Sequence, residues 1–253
     1  MSDIDPENLL LEDFKNKVDE AVSTGTSINF ITHVLGDSGE AKLKYIFTKV
    51  LEKYSRTELM ELLYTSAKEL IVNSTKAAIK RIVFEENNLE AGDEQKYELL
   101  MHQFKENLTD RKFPFYKEKM KEKGYRVSVK IAYNKDRILL RIINNFPLLP
   151  KEEKRIREKF IKAKKYDNLF EFYMDHGDNT EGAGMGITLV EIMLVQSGYD
   201  RHLFTISSNS YSSETIAKVE IPLSEDYKPF RVVFNEKLSS GLPREEILKE
   251  IHY

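Results

Sequence analysis

The sequence predicts one α/β domain with a sheet of about five to seven strands. Several stretches place apolar residues at helical spacing, and two others alternate apolar and polar residues around a turn. No internal repeat, low-complexity tract or flexible linker divides the chain. At 253 residues and 41% hydrophobic content, the chain is long enough to bury a core.

Composition narrows the class of protein. The 39 basic and 42 acidic residues leave a net charge of −3, so we expect no nucleic-acid partner. The absence of cysteine excludes disulfides and thiol chemistry and fits a reducing compartment. The acidic start, MSDIDPENLLLEDF, lacks the pattern of a secretory signal, and no stretch approaches the roughly 18 apolar residues of a membrane span. We therefore expect a cytoplasmic protein with no membrane partner.

The first third of the chain is predicted to be mostly helical. Amphipathic spacing predicts helices at 6–22 and at about 39–54, and the β-branched and aromatic residues of 28–35 predict a strand between them. Ser55, followed three residues later by a glutamate, has the spacing of a capping box. From there helical periodicity continues to about residue 82, which predicts the longest helix of the chain.

The middle of the chain alternates helices with hairpins. Mixed-charge residues 93–123 predict two helices broken near Pro114, and 125–145 alternates around an Asn-Lys-Asp turn typical of a β-hairpin. A charged helix follows, whose stretch 151–165 we interpret as a solvated flank, with a partner-docking face as the alternative.

The last quarter is predicted to hold an apolar helix ended by Gly198 and then a second hairpin. The tail is predicted to contain a strand at 230–234 and a short helix starting near Pro243.

A line of polar side chains follows the long helix. At about 100° per residue, Glu69, Asn73, Lys76 and Lys80 fall within an arc of roughly 60°, away from the apolar face. A carboxylate, an amide and ammonium groups offer a base, an oxygen ligand for Mg²⁺ and cations for phosphate. A solvated face with incidental polar residues is the alternative for this helix alone.

A glycine-rich stretch, EGAGMGIT at 181–188, precedes the apolar helix. Gly182, Gly184 and Gly186, with Met185 between the last two, let backbone amides approach an anion at a helix N-terminus. The stretch lacks the Gly-Lys-Ser/Thr ending of a Walker loop and does not follow a strand, as a dinucleotide fingerprint would. Taken alone, it is also compatible with a linker or a packing device.

In combination, these motifs resemble the GHKL superfamily of gyrase-type topoisomerases, large heat-shock chaperones, mismatch-repair ATPases and histidine kinases. The order is KELIVNSTKA, a hairpin running into NNFPLLP, NLFEFYMDH and GAGMGITLVEIML. The chain is most similar to the histidine-kinase ATP-binding domain, over about 57–222. The resemblance implies a two-layer sandwich with helices on one face of a mixed β-sheet. It makes 1–56 part of the same domain, 85–124 a helical insertion and 223–253 a C-terminal extension.

The resemblance also assigns roles to residues at the phosphate end. Glu69 matches the glutamate near the transferred phosphate, Asn73 the asparagine that binds Mg²⁺, and Lys76 a basic residue that reaches the phosphates. The glycines of 181–188 resemble the box that borders the triphosphate and ends a mobile lid. Residues 169–173 resemble the aromatic box that precedes that lid.

The base-recognition box is altered. NNFPLLP lies where related kinases have Asp-Asn-Gly-Pro-Gly-Ile-Pro, so Asn144 replaces an aspartate, and Phe146 and Leu148 replace glycines. The family aspartate accepts a hydrogen bond from the adenine amino group. An asparagine oxygen can accept the same bond, while its amide can instead face guanine. The two bulky side chains either fill the base pocket or flank the base as apolar walls.

The resemblance implies a stand-alone Mg-ATP-binding protein of the bacterial signalling type, with a kinase or slow ATPase activity if it is active. None of the five histidines has the pattern of a phosphoacceptor, so phosphate would pass to a partner protein. The rival interpretation is a non-catalytic interaction or scaffold protein with a degenerate or structural nucleotide site, docking partners through 85–124 and 225–253. A slow ATPase clamp of the gyrase or chaperone kind is the third alternative.

Overall fold

The computed structural model describes residues 6–89, 93–107, 112–176, 185–209 and 211–250. Its strands are β1 (Ile28–Thr32), β2 (Val127–Tyr133), β3 (Arg137–Asn144), β4 (Phe204–Asn209) and β5 (Glu214–Pro222). Its α-helices are α1 (Pro6–Thr24), α2 (Asp37–Lys53), α3 (Met60–Glu86), α4 (Glu94–Asn107), α5 (Phe113–Glu122), α6 (Pro150–Ala163), α7 (Leu169–His176), α8 (Gly186–Gln196), α9 (Phe230–Ser239) and α10 (Arg244–Glu250). Helices packed on a five-stranded sheet confirm the predicted α/β sandwich.

The sheet has the strand order β1-β2-β3-β5-β4. Each of these neighbouring pairs is antiparallel, so the expectation of a mixed sheet was wrong in this detail. The reason is the path of the second hairpin: β4 takes the outer edge, and β5 then returns beside β3 in the opposite direction. At the other edge β1 pairs with β2, which adds the N-terminal segment to the same sheet.

The main core lies between the sheet and α3. Alternate residues of β2, including Val129 and Ile131, point inward and are fully buried, as period-2 spacing requires. The predicted apolar face of α3 is confirmed from Leu63 to Ile82, both of which are fully buried. The long helix therefore presents its polar line away from the centre of the sheet. Within the described residues, no helix has the length and apolar character needed to cross a membrane.

The predicted capping box at Ser55 was wrong. Ser55 has φ +54° and ends α2, because its amide bonds the carbonyl of Glu52 and the next amide, of Arg56, bonds that of Leu51. This pair of bonds is the Schellman motif, which normally recruits glycine at the left-handed position. A short 3₁₀ turn, Thr57–Leu59, then leads into α3.

The predicted strand at 230–234 was also wrong, because these residues begin α9. Pro229 occupies the N-cap, and the amide of Val233 bonds the Pro229 carbonyl at 3.2 Å. Phe230 and Phe234 stack one helical turn apart, with ring centroids separated by 5.8 Å. The β-branched and aromatic residues that suggested a strand therefore lie in a helix. The spacing of the two phenylalanines, i and i+4, places them on the same helix face.

Candidate functional site

The structure brings two of the predicted stretches into direct contact. Gly186, the first residue of α8, packs against Glu69 and Asn73 on the half-buried polar line of α3. A Cβ atom added at Gly186 would lie 2.4 Å from Glu69 Oε2 and 2.7 Å from Asn73 Nδ2. Only glycine fits this approach without displacing either side chain. Sequence spacing predicted the two groups separately, and the packing of α3 on α8 joins them.

The donor set at this contact fits a hard cation. Glu69 supplies a carboxylate and Asn73 an amide oxygen, and Mg²⁺ is usually held by one or two such groups together with phosphate oxygens. Asn73 Nδ2 is buried without a hydrogen-bond partner in the described chain. The oxygen and nitrogen of an asparagine amide are interchangeable at the level of heavy-atom positions, so this end of Asn73 has bonding capacity left over.

The two lysines of the polar line differ in their surroundings. Lys76 is half-buried, and no carboxylate pairs with it among the residues the structure describes. Lys80 instead forms an ion pair with Glu152 of α6, a carboxylate that also bonds Arg81 at 3.0 Å. Helical spacing placed the two lysines in one group, but among the described residues Lys80 is paired with a carboxylate and Lys76 is not.

Glu152 was missed by the sequence analysis. Its side chain is 6% exposed, and it accepts a bond from the Leu149 amide at 2.9 Å, as a glutamate at position N3 of a helix does. Burial alone would raise the pKa of this carboxyl, but the charges of Lys80 and Arg81 outweigh it and lower the pKa. Its place three residues after the helix N-cap was a signal for capping but not for ion pairing.

The glycine stretch is described only in part. Gly182 and Gly184 lie outside the described residues, so their predicted role stays a prediction. Met185 precedes α8 and packs against the cluster of Tyr166, Phe172 and Ile192. The aromatic box predicted at 169–173 thus supplies Phe172, 2% exposed, to a cluster next to the start of α8.

Asn144 is anchored to α3. Its Nδ2 donates to the main-chain carbonyl of Ser74 at 3.1 Å, and its side chain is 3% exposed. An aspartate here would set a carboxylate oxygen against that carbonyl, two acceptors with no proton between them. This contact gives a local reason for asparagine rather than aspartate at this position.

The two bulky residues of NNFPLLP narrow the space beside the sheet. Phe146 is buried and makes an edge contact with Tyr125 and a cation–π contact with Arg81, at 5.3 Å in both cases. Together with Leu148 and Asn73 it lines a cavity of about 80 Å³. Pockets for drug-sized ligands usually measure about 300–1,000 Å³. The cavity beside Phe146 and Leu148 is therefore much smaller than a pocket for a drug-sized ligand.

A larger cavity lies elsewhere. It measures about 740 Å³ and is lined mainly by the end of α3, by α4 and by the start of α6, including Phe84, Leu89 and Tyr97. Phe146 of the small cavity contacts Arg81, which lines the larger one. We place the candidate site at the Gly186 contact because the predicted polar groups converge there, not at the larger apolar cavity.

Comparisons with known proteins add one relative and no family. The chain is 26% identical over 206 residues to an uncharacterized protein of Treponema pallidum, a match that covers 81% of this chain and 40% of that protein. The chain therefore spans well under two thirds of the length of this relative. No protein-family profile matches the chain, and no solved structure matches it either.

Proposed function

We propose that residues 57–222 form a nucleotide-binding domain of the histidine-kinase-like GHKL type, which binds Mg-ATP and transfers phosphate to a partner protein in a signalling pathway. The observation that supports it is the packing of Gly186 against Glu69 and Asn73. Three residues predicted independently from two motifs meet at one place, and they offer the chemistry that a metal-bound triphosphate requires.

Under this proposal each residue has a separate task. Asn73 would hold Mg²⁺, which neutralises phosphate charge when it is bound. Lys76 and the amides at the start of α8 would stabilise phosphate oxygens, and Glu69 would orient the attacking group. Asn144 and Phe146 would face the base. Catalysis of this kind depends on positioning and electrostatics more than on covalent chemistry by the protein.

A second function, a non-catalytic interaction protein, is favoured by the small size of the cavity at Phe146 and Leu148. The helices of the predicted insertion expose large apolar side chains, with Leu99 of α4 60% exposed and Phe115 of α5 55% exposed. In this alternative, nucleotide is absent or structural, and the insertion docks a partner. The two functions differ in whether nucleotide stabilises the fold.

Thermal unfolding with ATP, GTP or ADP, with and without Mg²⁺, tests the proposal. A ligand at about 100 times its Kd stabilises the native state by about 2.7 kcal/mol, which is an easily measured shift in Tm. We expect the largest shift with Mg-ATP and a smaller one for Asn73→Ala. Asn29→Ala, at an exposed site on β1, is the control and is expected to shift like the wild type. The absence of a shift with every nucleotide would exclude the proposed function.

Truncating Leu148 tests whether the base pocket is obstructed. Leu148 is half-buried, so Leu148→Ala is expected to cost about 1–2 kcal/mol of stability. Because its side chain lines the cavity of about 80 Å³, we expect the variant to bind ATP severalfold more tightly in a calorimetric titration. Leu238→Ala on the exposed face of α9 is the control. Weaker binding by Leu148→Ala would instead identify Leu148 as a wall that contacts the base.

A further inference from the structure

Lys159 lies on the inward side of the charged helix α6. Residues 152, 156, 159 and 163 share one stripe of this helix, within an arc of about 60°. Glu152 and Ala163 are buried, and Ile156 packs against the main core. The prediction that 151–165 is a solvated flank is therefore wrong for this stripe. Ile156, one turn before Lys159, lines the small cavity together with Asn73 of α3, so this stripe lies next to the candidate site.

The charges that act on Lys159 are mostly of the same sign. Lys76 and Lys80 approach it from α3, and Arg155 lies one turn away on its own helix. Lys80 shares Glu152 with Arg81, and Arg155 pairs with Glu98 at 3.2 Å.

The buried carboxylates of α6 and α8, Glu152 and Glu191, are paired with other cations. Glu191, the one ionisable residue in the sequence of α8, bonds Arg201 at 3.3 Å. In the described part of the chain, no carboxylate pairs with Lys76 or with Lys159. The space around Lys76 and Lys159 therefore has more positive than negative charge.

Burial and the neighbouring cations lower the pKa of Lys159 from 10.5 to about 8. A half-buried ammonium group without a counter-ion destabilises the fold, since buried charges are normally paired. Strongly perturbed groups of this kind concentrate at functional sites. An anion with several charges bound beside Lys76 and Lys159 would provide the missing partner for both lysines at once.

We propose that Lys159 and Lys76 form a subsite for the phosphate chain of a nucleoside triphosphate, with Lys159 reaching across from α6; this inference rests on the nucleotide-binding function proposed above. The geometry suits a chain of phosphates. Lys76 lies about 5 Å along the axis of α3 from Asn73, which touches Gly186 at the start of α8. A phosphate chain that starts at the Gly186 contact would extend toward the two lysines.

Calorimetric titrations of ATP, adenosine and inorganic tripolyphosphate with Lys159 variants test this subsite. Lys159→Gln is expected to weaken binding of ATP and of tripolyphosphate by about tenfold to a hundredfold, the value of a hydrogen bond to a charged group. Adenosine binding should not change. Lys159→Arg should retain most of the affinity because it keeps the charge. Lys162→Gln, an exposed lysine on the same helix, is the control.

The pH dependence separates a phosphate contact from a packing role. As the pH rises above about 8, Lys159 loses its proton, so tripolyphosphate binding to the wild type should weaken. Lys159→Arg stays charged and should bind equally well across this range. A structural lysine would give the same pH profile in both proteins.

The outcomes distinguish this inference from the proposed function. If ATP binds and Lys159→Gln binds it as tightly as the wild type does, the subsite is wrong and the nucleotide function remains. If tripolyphosphate binding depends on Lys159 but ATP binds no more tightly than tripolyphosphate, the subsite stands and the site is not selective for nucleotides. If neither ligand binds, the subsite is wrong.

Discussion

Replacing Glu152 by alanine is expected to lower the free energy of unfolding by about 3–5 kcal/mol, the usual cost of removing one partner from a buried ion pair. Glu152 neutralises two cations of α3, Lys80 and Arg81, whose side chains are 15% and 13% exposed. Without it, both charges stay buried and lose the carboxylate that they share. The variant also loses the bond from the Leu149 amide that caps α6.

Urea denaturation at neutral pH measures this loss, and the neighbouring residue supplies the control. Glu153 is exposed and pairs with exposed Arg157 one turn away, so Glu153→Ala is expected to cost about 0.5 kcal/mol or less. If Glu152→Ala unfolds within about 1 kcal/mol of the wild type, water or a rearrangement replaces the ion pair and α6 is not fixed by it.

The effect should also depend on pH. Since the pKa of Glu152 is lowered by folding, its contribution is fully present above the ordinary carboxyl value of 4.5 and is lost as the pH falls through the folded value. The difference in stability between wild type and Glu152→Ala should therefore shrink in acid. A difference that stays constant as the pH falls would mean that shape, not charge, accounts for it.

The comparison of sequence and structure shows which interactions a local pattern can reveal. The apolar face of α3, the two hairpins and the helix end at Gly198, with φ +79°, were predictable because each depends on neighbours within a few residues. The failures at Ser55 and at 230–234 were also local. At Ser55 the pattern of a helix start occurs at a helix end. At 230–234 the composition of a strand occurs in a helix.

The candidate site was predictable only on one side. Helical spacing placed Glu69, Asn73 and Lys76 on one line of α3, but it gave no information about what α6 and α8 bring to that line. Among the described residues Lys80 is paired with a carboxylate and Lys159 is not, and the partner of Lys80, Glu152, lies on a helix that is distant in sequence. The size of the cavity at Phe146 likewise depends on contacts with Tyr125 and Arg81, far away along the chain.

Gly186→Ala is expected to weaken Mg-ATP binding by about tenfold to a hundredfold while changing stability by about 1 kcal/mol or less. The added methyl group would overlap Glu69 Oε2 and Asn73 Nδ2, which are the free ends of flexible side chains. They can rotate away, the approach of 3.3 Å to Glu69 Cβ needs a shift of only a few tenths of an ångström, and alanine favours the helix. The predicted metal ligand Asn73 and the predicted catalytic residue Glu69 would nevertheless be displaced together.

Gly36→Ala is the matched control, because Gly36 also stands at a helix N-terminus, and a Cβ there would meet nothing within 4 Å. For Gly186→Ala we expect weaker Mg-ATP binding in titrations but little change in the free energy of unfolding in urea. For Gly36→Ala we expect Mg-ATP binding to equal that of the wild type. A variant at Gly186 that is destabilised but binds ATP normally when folded would show that the glycine serves helix packing alone. Loss of binding with an intact fold would locate the phosphate end at the contact of α3 with α8.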